Sequence, residues 1–327
     1  MLLAGEDPIA VERAAQVLAE GGLVGLPTET VYGLGARADR DEAVAAIFAL
    51  KGRPSDHPLI VHLAEPGDAA GFAADWPPVA QRLAEAFWPG PLTLIVPRRP
   101  ERAAAAAAGQ GSIGLRCPAH PVARALLRAA RERGVPGVAA PSANRFGRIS
   151  PTRAEHVVEE FGDTLLVLDG GACPVGIESA IVDCTRGHPV LLRPGQLGRE
   201  RLEAAAGEAL REPDDEAPRA SGTLEAHYAP RARLRLMPAP MLNTALQVLG
   251  PGEVKLALYS RTVRLPPGSR LRHKPMPLQA DAAAHDLFAD LREIDALGVD
   301  LIWVEEPPPD PAWDGVRDRL RRAAAAS

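Results

Sequence analysis

The chain has 327 residues, 46% of them apolar and 24% charged, and a formal net charge of −5; that length allows two domains and that composition a sizeable core. The charge is uneven: residues 1–216 carry 22 Lys/Arg against 29 Asp/Glu, net −7, and residues 217–327 carry 15 against 13, net +2. Neither part has the basic excess of a domain that grips nucleic acid by its phosphates, which argues against such binding as the main role.

Taken in order, Asp7-Pro8 signals a capped helix through Glu20, with Ile9, Ala14, Val17 and Leu18 on its apolar side. A strand over Leu23–Leu26 runs into the polar turn Pro27-Thr28-Glu29-Thr30, then Tyr32, Gly33 and Gly35. Asp39 or Asp41 is placed to cap a helix over Glu42–Leu50, which ends in Lys51-Gly52-Arg53-Pro54. Strands follow at Leu59–Leu63, Leu92–Val96 and Ser112–Cys117, and helices at Val79–Phe87 and Pro121–Arg133. The alanine-rich stretch 103–108 reads as a helix or as a surface loop. Val138–Ala140 leads into Pro141-Ser142-Ala143-Asn144, and Thr152 with Glu155 forms a candidate capping box for a helix to Phe161. Leu165–Leu168, Ala180–Asp183 and Val190–Leu192 read as strands, and Arg199–Leu210 as a helix. Several strands follow one another directly, which predicts a mixed twisted sheet with helices on it.

Residues 212–232 are polar, with prolines and no periodicity, and read as a linker between a domain over 1–211 and a smaller α/β domain over 233–327. In the latter, strands are predicted at Leu234–Met237, Val254–Tyr259 and Leu301–Val304, and helices at Met241–Leu249, Ala282–Leu297 and Trp313–Ala325.

Cys117, Cys173 and Cys184 are widely spaced, so neither a Cys-x-x-Cys zinc signature nor a disulfide framework is present. A reducing compartment fits, and no apolar stretch approaches membrane-spanning length, so a cytoplasmic location is expected.

Lysine and asparagine are rare, with three and two occurrences, which makes Lys51 and Asn144 informative. Lys51 and Arg53 supply a point charge and a forked donor, the pair that phosphate recognition wants; the same two residues also suit a solvated helix C-terminus. His57 and His62 follow within a few residues. Ser142 and Asn144 suit a nucleobase, ribose or phosphate, or simply a turn. Arg116 on a strand and Arg193 before Pro194-Gly195 need anionic partners, Asp183 or a ligand. No phosphate-loop motif and no nucleophile–base–acid pattern is found. These residues by themselves indicate an anionic small molecule, such as a nucleotide, bound in an α/β cleft.

In combination they are more specific. Pro27 to Leu34, Lys51-Gly52-Arg53-Pro54, Pro58 to His62, Pro141 to Asn144, Gly176-Ile177-Glu178-Ser179 and Leu192-Arg193-Pro194-Gly195 resemble the YrdC-like family in the same order. His227-Tyr228-Ala229-Pro230 and the stretch from Leu291 to Ile302 resemble its long two-domain form, L-threonylcarbamoyladenylate synthase, whose second domain is small and Rossmann-like. That resemblance implies synthesis of threonylcarbamoyl-AMP and pyrophosphate from ATP, L-threonine and bicarbonate, with Mg²⁺ on the triphosphate. A separate tRNA threonylcarbamoyl transferase system would then modify an adenosine beside the anticodon. It further implies ATP contacts by Lys51, Arg53, His57, Ser112, Ser142, Asn144, Ser150, Arg193 and Tyr228. Lys51 and Arg53 are the residues expected to matter most for catalysis. Threonine contacts are implied for Thr30, His62, Arg116, Ala140 (by its backbone) and Ser179. Tyr228 is expected to fold over the nucleotide as part of a lid, or else to pin the linker. Three departures from the family pattern stand out: His57 replaces an Asn, Ala180 a Thr, and His285-Asp286 an Arg-Asn pair. Two other functions compete: a double-stranded RNA or tRNA-binding module, and carbamoyl transfer in hydrogenase maturation, which would bring zinc-binding Cys pairs.

Overall fold

The computed structural model describes residues 1–249 and 255–326. They form two compact units, one of residues 1–146 and 150–223, the other of 147–149 and 224–327. The division at Thr223/Leu224 falls inside the stretch read as linker.

The first unit is built on a ten-stranded mixed sheet. Its strands are β1 (Leu2–Ala4), β2 (Val24–Leu26), β3 (Gly33–Arg37), β4 (Ile60–His62), β5 (Leu92–Pro97), β6 (Ser112–Arg116), β7 (Val138–Ala139), β8 (Leu166–Asp169), β9 (Ala180–Asp183) and β10 (Val190–Arg193). In space they run β1-β8-β2-β3-β7-β4-β6-β5-β9-β10. Its helices are α1 (Pro8–Ala19), α2 (Asp41–Lys51), α3 (Pro78–Phe87), α4 (Pro121–Glu132), α5 (Ala154–Phe161) and α6 (Arg199–Ala206).

Side chains alternate across the strands, so each strand feeds two faces. One face is a continuous apolar layer: Val61, Leu92, Leu94, Val96, Ile113, Leu115, Ala180 and Val182 pack with the buried sides of α2, α3, α5 and α6. The other face is divided. Val24, Leu26, Val138, Leu166 and Leu168 pack under α1 and α4. Further along, Ile60, Ile95, Ile181, Val190 and Leu192 gather with Ala220 from the segment after α6, with no helix in that cluster. Polar side chains share this second face: His62, Thr93, Ser112 and Arg116 on the strands, and Ser179 just before β9.

The second unit is a four-stranded sheet, paired in parallel throughout, of β11 (Arg233–Met237), β12 (Leu256–Ser260), β13 (Arg272–Pro275) and β14 (Leu301–Glu305), in the order β11-β14-β12-β13. Its helices are α7 (Ala239–Val248), α8 (Ala280–Ala296) and α9 (Asp314–Ala325).

The mixed α/β reading holds, and the differences are local. Strand β3 was not foreseen because two of its five residues are glycine. A Cβ at Gly35 would lie 2.8 Å from both Leu26 and Val138, so close packing of neighbouring strands selects glycine against its poor strand propensity. Strand β13 was also missed; its sequence, Arg-His-Lys-Pro, has no apolar signal. Ile9 is 78% exposed, and α1 buries Ala10, Val11, Ala14, Ala15 and Leu18 instead, a face rotated from the expected one. Neither Asp39 nor Asp41 caps α2; Asp39 is held by Arg37 at 2.7 Å. No capping box starts α5, which begins after Arg153. Helix α6 ends at Ala206, because Gly207 takes the left-handed conformation that stops a helix. The 103–108 stretch is an inward-packed loop whose Ala106 carbonyl accepts from the Leu59 N–H. The expected strand start at Val254 lies outside the described residues.

Candidate functional site

The polar positions of the open face converge at the ends of β4, β6 and β9. His62 and Arg116 are register partners on the parallel pair β4–β6, so their side chains emerge side by side. The turn after β2 meets them. Arg116 is 4% exposed; its Nη1 donates to Thr30 Oγ1 at 2.9 Å, and its Nη2 lies 2.7 Å from Glu29 Oε1. Thr30 is bonded in turn to Thr28 at 2.9 Å, and Glu29 Oε2 accepts from the Ala119 N–H at 3.1 Å. Burial opposes ionisation of Glu29, but the charge and hydrogen bond of Arg116 outweigh it and its pKa is lowered. The pair is therefore ionic and internally neutral. His62 is enclosed beside it; burial, then the Arg116 charge, depress its pKa to about 3, so the ring is neutral, and its Nδ1 has no hydrogen-bond partner among the described residues.

Ser179, just before β9, completes this group. Its hydroxyl shares a 2.8 Å bond with Thr93 and accepts from Arg193 Nη2 at 3.2 Å, while Arg193 Nε donates to its carbonyl at 3.0 Å. Arg193 reaches this face because the β9–β10 register shifts between Leu191 and Arg193, an irregularity that re-aims a side chain. Gly195 allows the approach: a Cβ there would stand 2.4 Å from the Ala180 nitrogen. Ala140, at the end of β7, is buried, and its N–H donates to the Ile60 carbonyl at 2.9 Å.

The second group is organised by Lys51. The sequence placed this lysine on a turn; it is in fact the last residue of α2, and only 3% exposed. Gly52, at φ 63°, turns the chain immediately after it. The Lys51 ammonium donates to the carbonyl of Ser142 at 2.6 Å and to that of Asn144. It thus clamps the Pro141–Asn144 turn that leaves β7. Burial, then the Arg53 charge, push its pKa well below the ordinary lysine value. Arg53 is also buried, with Nη2 donating to the Pro58 carbonyl at 3.1 Å and its guanidinium 5.9 Å from the Phe146 ring centre. His57 faces the same ring at 5.5 Å; burial and Arg53 lower its pKa. Ser150 is buried and donates to Glu178 at 2.5 Å. Ser112 lies further along the open face and lines a cavity of about 20 Å³, the volume of a single water site, with Thr93, Ile60 and Ile95.

Thr30, His62 and Arg116 are thus joined through a hydrogen bond and adjacent register positions, Ser179 is bonded to Thr93 and Arg193 on the same face, and Lys51, Arg53, His57, Ser142 and Asn144 form a second set. Tyr228 belongs to the second unit. Its ring centre is 4.1 Å from His227 and 5.3 Å from Phe288, with the Arg319 guanidinium 5.8 Å from it. Its φ of 62° is unusual for a bulky residue. Sequence reasoning passed over Glu29, Glu178, Thr93 and Phe146. Glu29 and Glu178 stood inside the quoted motifs, and the available signal was that a buried arginine and a buried serine each needed a partner.

A family model described as telomere recombination, of the Sua5/YciO/YrdC type, matches residues 16–195, and one described as the C-terminal domain of threonylcarbamoyl-AMP synthase matches 197–325. The chain is 37% identical to threonylcarbamoyl-AMP synthase from Bacillus subtilis, covering 98% of this chain and 94% of the relative. It is 36% identical to the Pyrococcus abyssi protein of the same name, over 95% and 93%. The structure of P. abyssi Sua5 complexed with L-threonine superposes with a TM-score of 0.89 at 34% identity, covering 98% of this chain and 95% of that one.

Proposed function

The chain belongs to the threonylcarbamoyl-AMP synthase family, matched in both of its units, and from that premise we propose how its residues divide the work of making threonylcarbamoyl-AMP. It is an enzyme of that type, in tRNA modification, rather than a nucleic-acid-binding module. The substrates are ATP, L-threonine and bicarbonate. Threonine's amine and bicarbonate join with loss of water to give a carbamate. A carbamate oxygen then attacks the α-phosphorus and pyrophosphate leaves.

The observation that carries this assignment is the buried, charge-neutral Arg116–Glu29 pair with the Thr30 hydroxyl on it. Threonine enters as a zwitterion. Its carboxylate suits the Arg116 fork and its hydroxyl suits the neutral His62 ring or Ser179. The threonine named in the P. abyssi structure supports the same ligand here. On the other side, Lys51, Arg53 and the Ser142–Asn144 turn take the phosphates, with His57, Ser112, Ser150 and Arg193 as further ATP contacts. An anion beside Lys51 offsets the burial that now depresses its pKa.

No protein nucleophile is required. The residues orient the three substrates and place fixed positive charge where the pentavalent phosphorus and the leaving pyrophosphate concentrate negative charge. Mg²⁺ would arrive with the triphosphate as part of the substrate and would offset part of that charge; a cation-lined phosphate site next to hydroxyls fits such a loaded nucleotide. The product passes to the tRNA threonylcarbamoyl transferase system. No helix among the described residues is long and apolar enough to cross a membrane.

The test is pyrophosphate release from ATP with threonine and bicarbonate omitted in turn. Release that needs both is expected. ATP turnover unchanged without threonine would overturn the assignment.

A further inference from the structure

The segment after α6 does not leave the first unit freely, and one side chain sets where it lies. Gln110, on the loop before β6, donates from Nε2 to the Arg219 carbonyl at 3.1 Å, and its Oε1 accepts the Arg219 N–H at 2.9 Å. A pair of residues exchanges these same two bonds in an antiparallel ladder; here a carboxamide replaces one backbone. The register has consequences at the next two residues. Ala220 is 8% exposed and fills the apolar cluster of Ile60, Ile95, Ile181, Val190 and Leu192. The Ser221 carbonyl accepts from Arg193 Nη1 at 2.7 Å. The same guanidinium spends Nε and Nη2 on Ser179. Arg219, Ala220 and Ser221 also roof the small cavity lined by Thr93 and Ser112.

We propose that Gln110 is a positioning residue for the nucleotide side of the reaction, acting through the strap 219–221 on Arg193. This rests on the function proposed above. The strap has no helix or strand of its own and only one small apolar residue to bury. A slip of one residue would bring Arg219 or Ser221 over the isoleucines and remove the carbonyl that orients the Arg193 fork. Irregular segments with few buried contacts open at low cost, and two hydrogen bonds to the backbone of one residue oppose that opening. Gln110 touches neither substrate; it fixes the group that does.

The experiment uses the full chain and its Gln110→Ala and Gln110→Glu variants, with two readouts. The first is native-state trypsin cleavage after Arg219, followed as the fragment that begins at Ala220. The second is the KM for ATP and for threonine in pyrophosphate release. Loss of two hydrogen bonds of ordinary strength should speed cleavage about 5- to 150-fold in Gln110→Ala. The KM for ATP should rise, and by more than the KM for threonine, whose side of the site Arg193 reaches only through Ser179; the thermal midpoint should stay nearly unchanged. Gln110→Glu keeps the acceptor and loses the donor, so it should fall between. Unchanged cleavage with an unchanged KM for ATP overturns the proposal. Equal rises in both KM values with a lowered midpoint also overturn it, since that is general destabilisation. If wild type releases no threonine-dependent pyrophosphate, the proposed function fails. The cleavage ratio then still reports whether Gln110 holds the strap.

Discussion

The two halves of the site each bury a cation, and they settle its charge in opposite ways. Arg116 has a carboxylate 2.7 Å away and the Thr30 hydroxyl as an acceptor, itself bonded to Thr28. Lys51 has backbone carbonyls, those of Ser142 and Asn144, and no carboxylate within ion-pair distance among the described residues. A neutral pocket suits a zwitterion, because an extra charge would bind one end of threonine and repel the other. A pocket with unbalanced positive charge suits a polyphosphate. Each ligand's net charge is thus mirrored by what the protein withholds or supplies around one buried cation.

Removing the counter-charge on the threonine side should have the largest effect. Glu29→Ala leaves Arg116 buried without its carboxylate, a change that typically costs about 3–5 kcal/mol. Urea denaturation should show a loss of that size. Glu29→Gln keeps the shape, should fold, and should raise the KM for threonine while leaving that for ATP alone. A rise in both would break the contrast between the halves.

The phosphate side comes next. Lys51→Ala should lower pyrophosphate formation about 10- to 100-fold, the scale of one charge-assisted contact of about 1.5–3 kcal/mol. Because the ammonium also holds the 141–144 turn, the thermal midpoint should fall as well. A normal midpoint with normal rate would show that neither carbonyl nor phosphate depends on this cation.

Serine in place of threonine sharpens the reading of the neutral pocket. One methyl group is worth about 1–3 kcal/mol in such a site, so serine should react about 10- to 200-fold less efficiently in kcat/KM. Equal efficiency would mean that the pocket reads the charges and the hydroxyl and ignores the methyl.

The smallest effect near neutral pH is that of His62, and its sign follows from linkage. Its folded pKa, about 3, lies below the ordinary histidine value of 6.5. Between these values the unfolded chain binds a proton that the folded one refuses, so stability falls as pH drops below about 6.5, by up to about 1.4 kcal/mol per pH unit. Above 6.5 the term vanishes. His62→Asn should flatten this part of the urea-denaturation profile between pH 6.5 and 5 relative to wild type. Parallel profiles would show that the ring does not titrate as its burial requires.

Much of this was legible in the sequence because chemistry and chain punctuation are local. Residue type and spacing marked Lys51, Arg53, Ser142, Asn144 and Arg116 as candidates, with a helix end or a turn as the competing reading for all but Arg116, and the family resemblance supplied their expected roles. Most strands and helices showed through periodicity, and their order implied a mixed sheet. Three things were not legible. The glycine strand β3 contradicts its own propensity, and only the closeness of Leu26 and Val138 explains it. The partners of buried charges lay elsewhere: Glu29 is 87 residues from Arg116, and the Ser142 carbonyl is 91 from Lys51. Arg193 faces the site only because a register shift turns it there.

The amino-acid sequence by itself determined which chemistry is available, two buried-type cations and a set of hydroxyls on short apolar strands, because side-chain identity and local backbone preference need no partner to be defined. Only the tertiary structure decided how the charges are balanced, with Arg116 neutralised by a carboxylate and Lys51 held by carbonyl dipoles. Burial and distance set the energy of an ion, and both are properties of segments brought together from far apart in the chain.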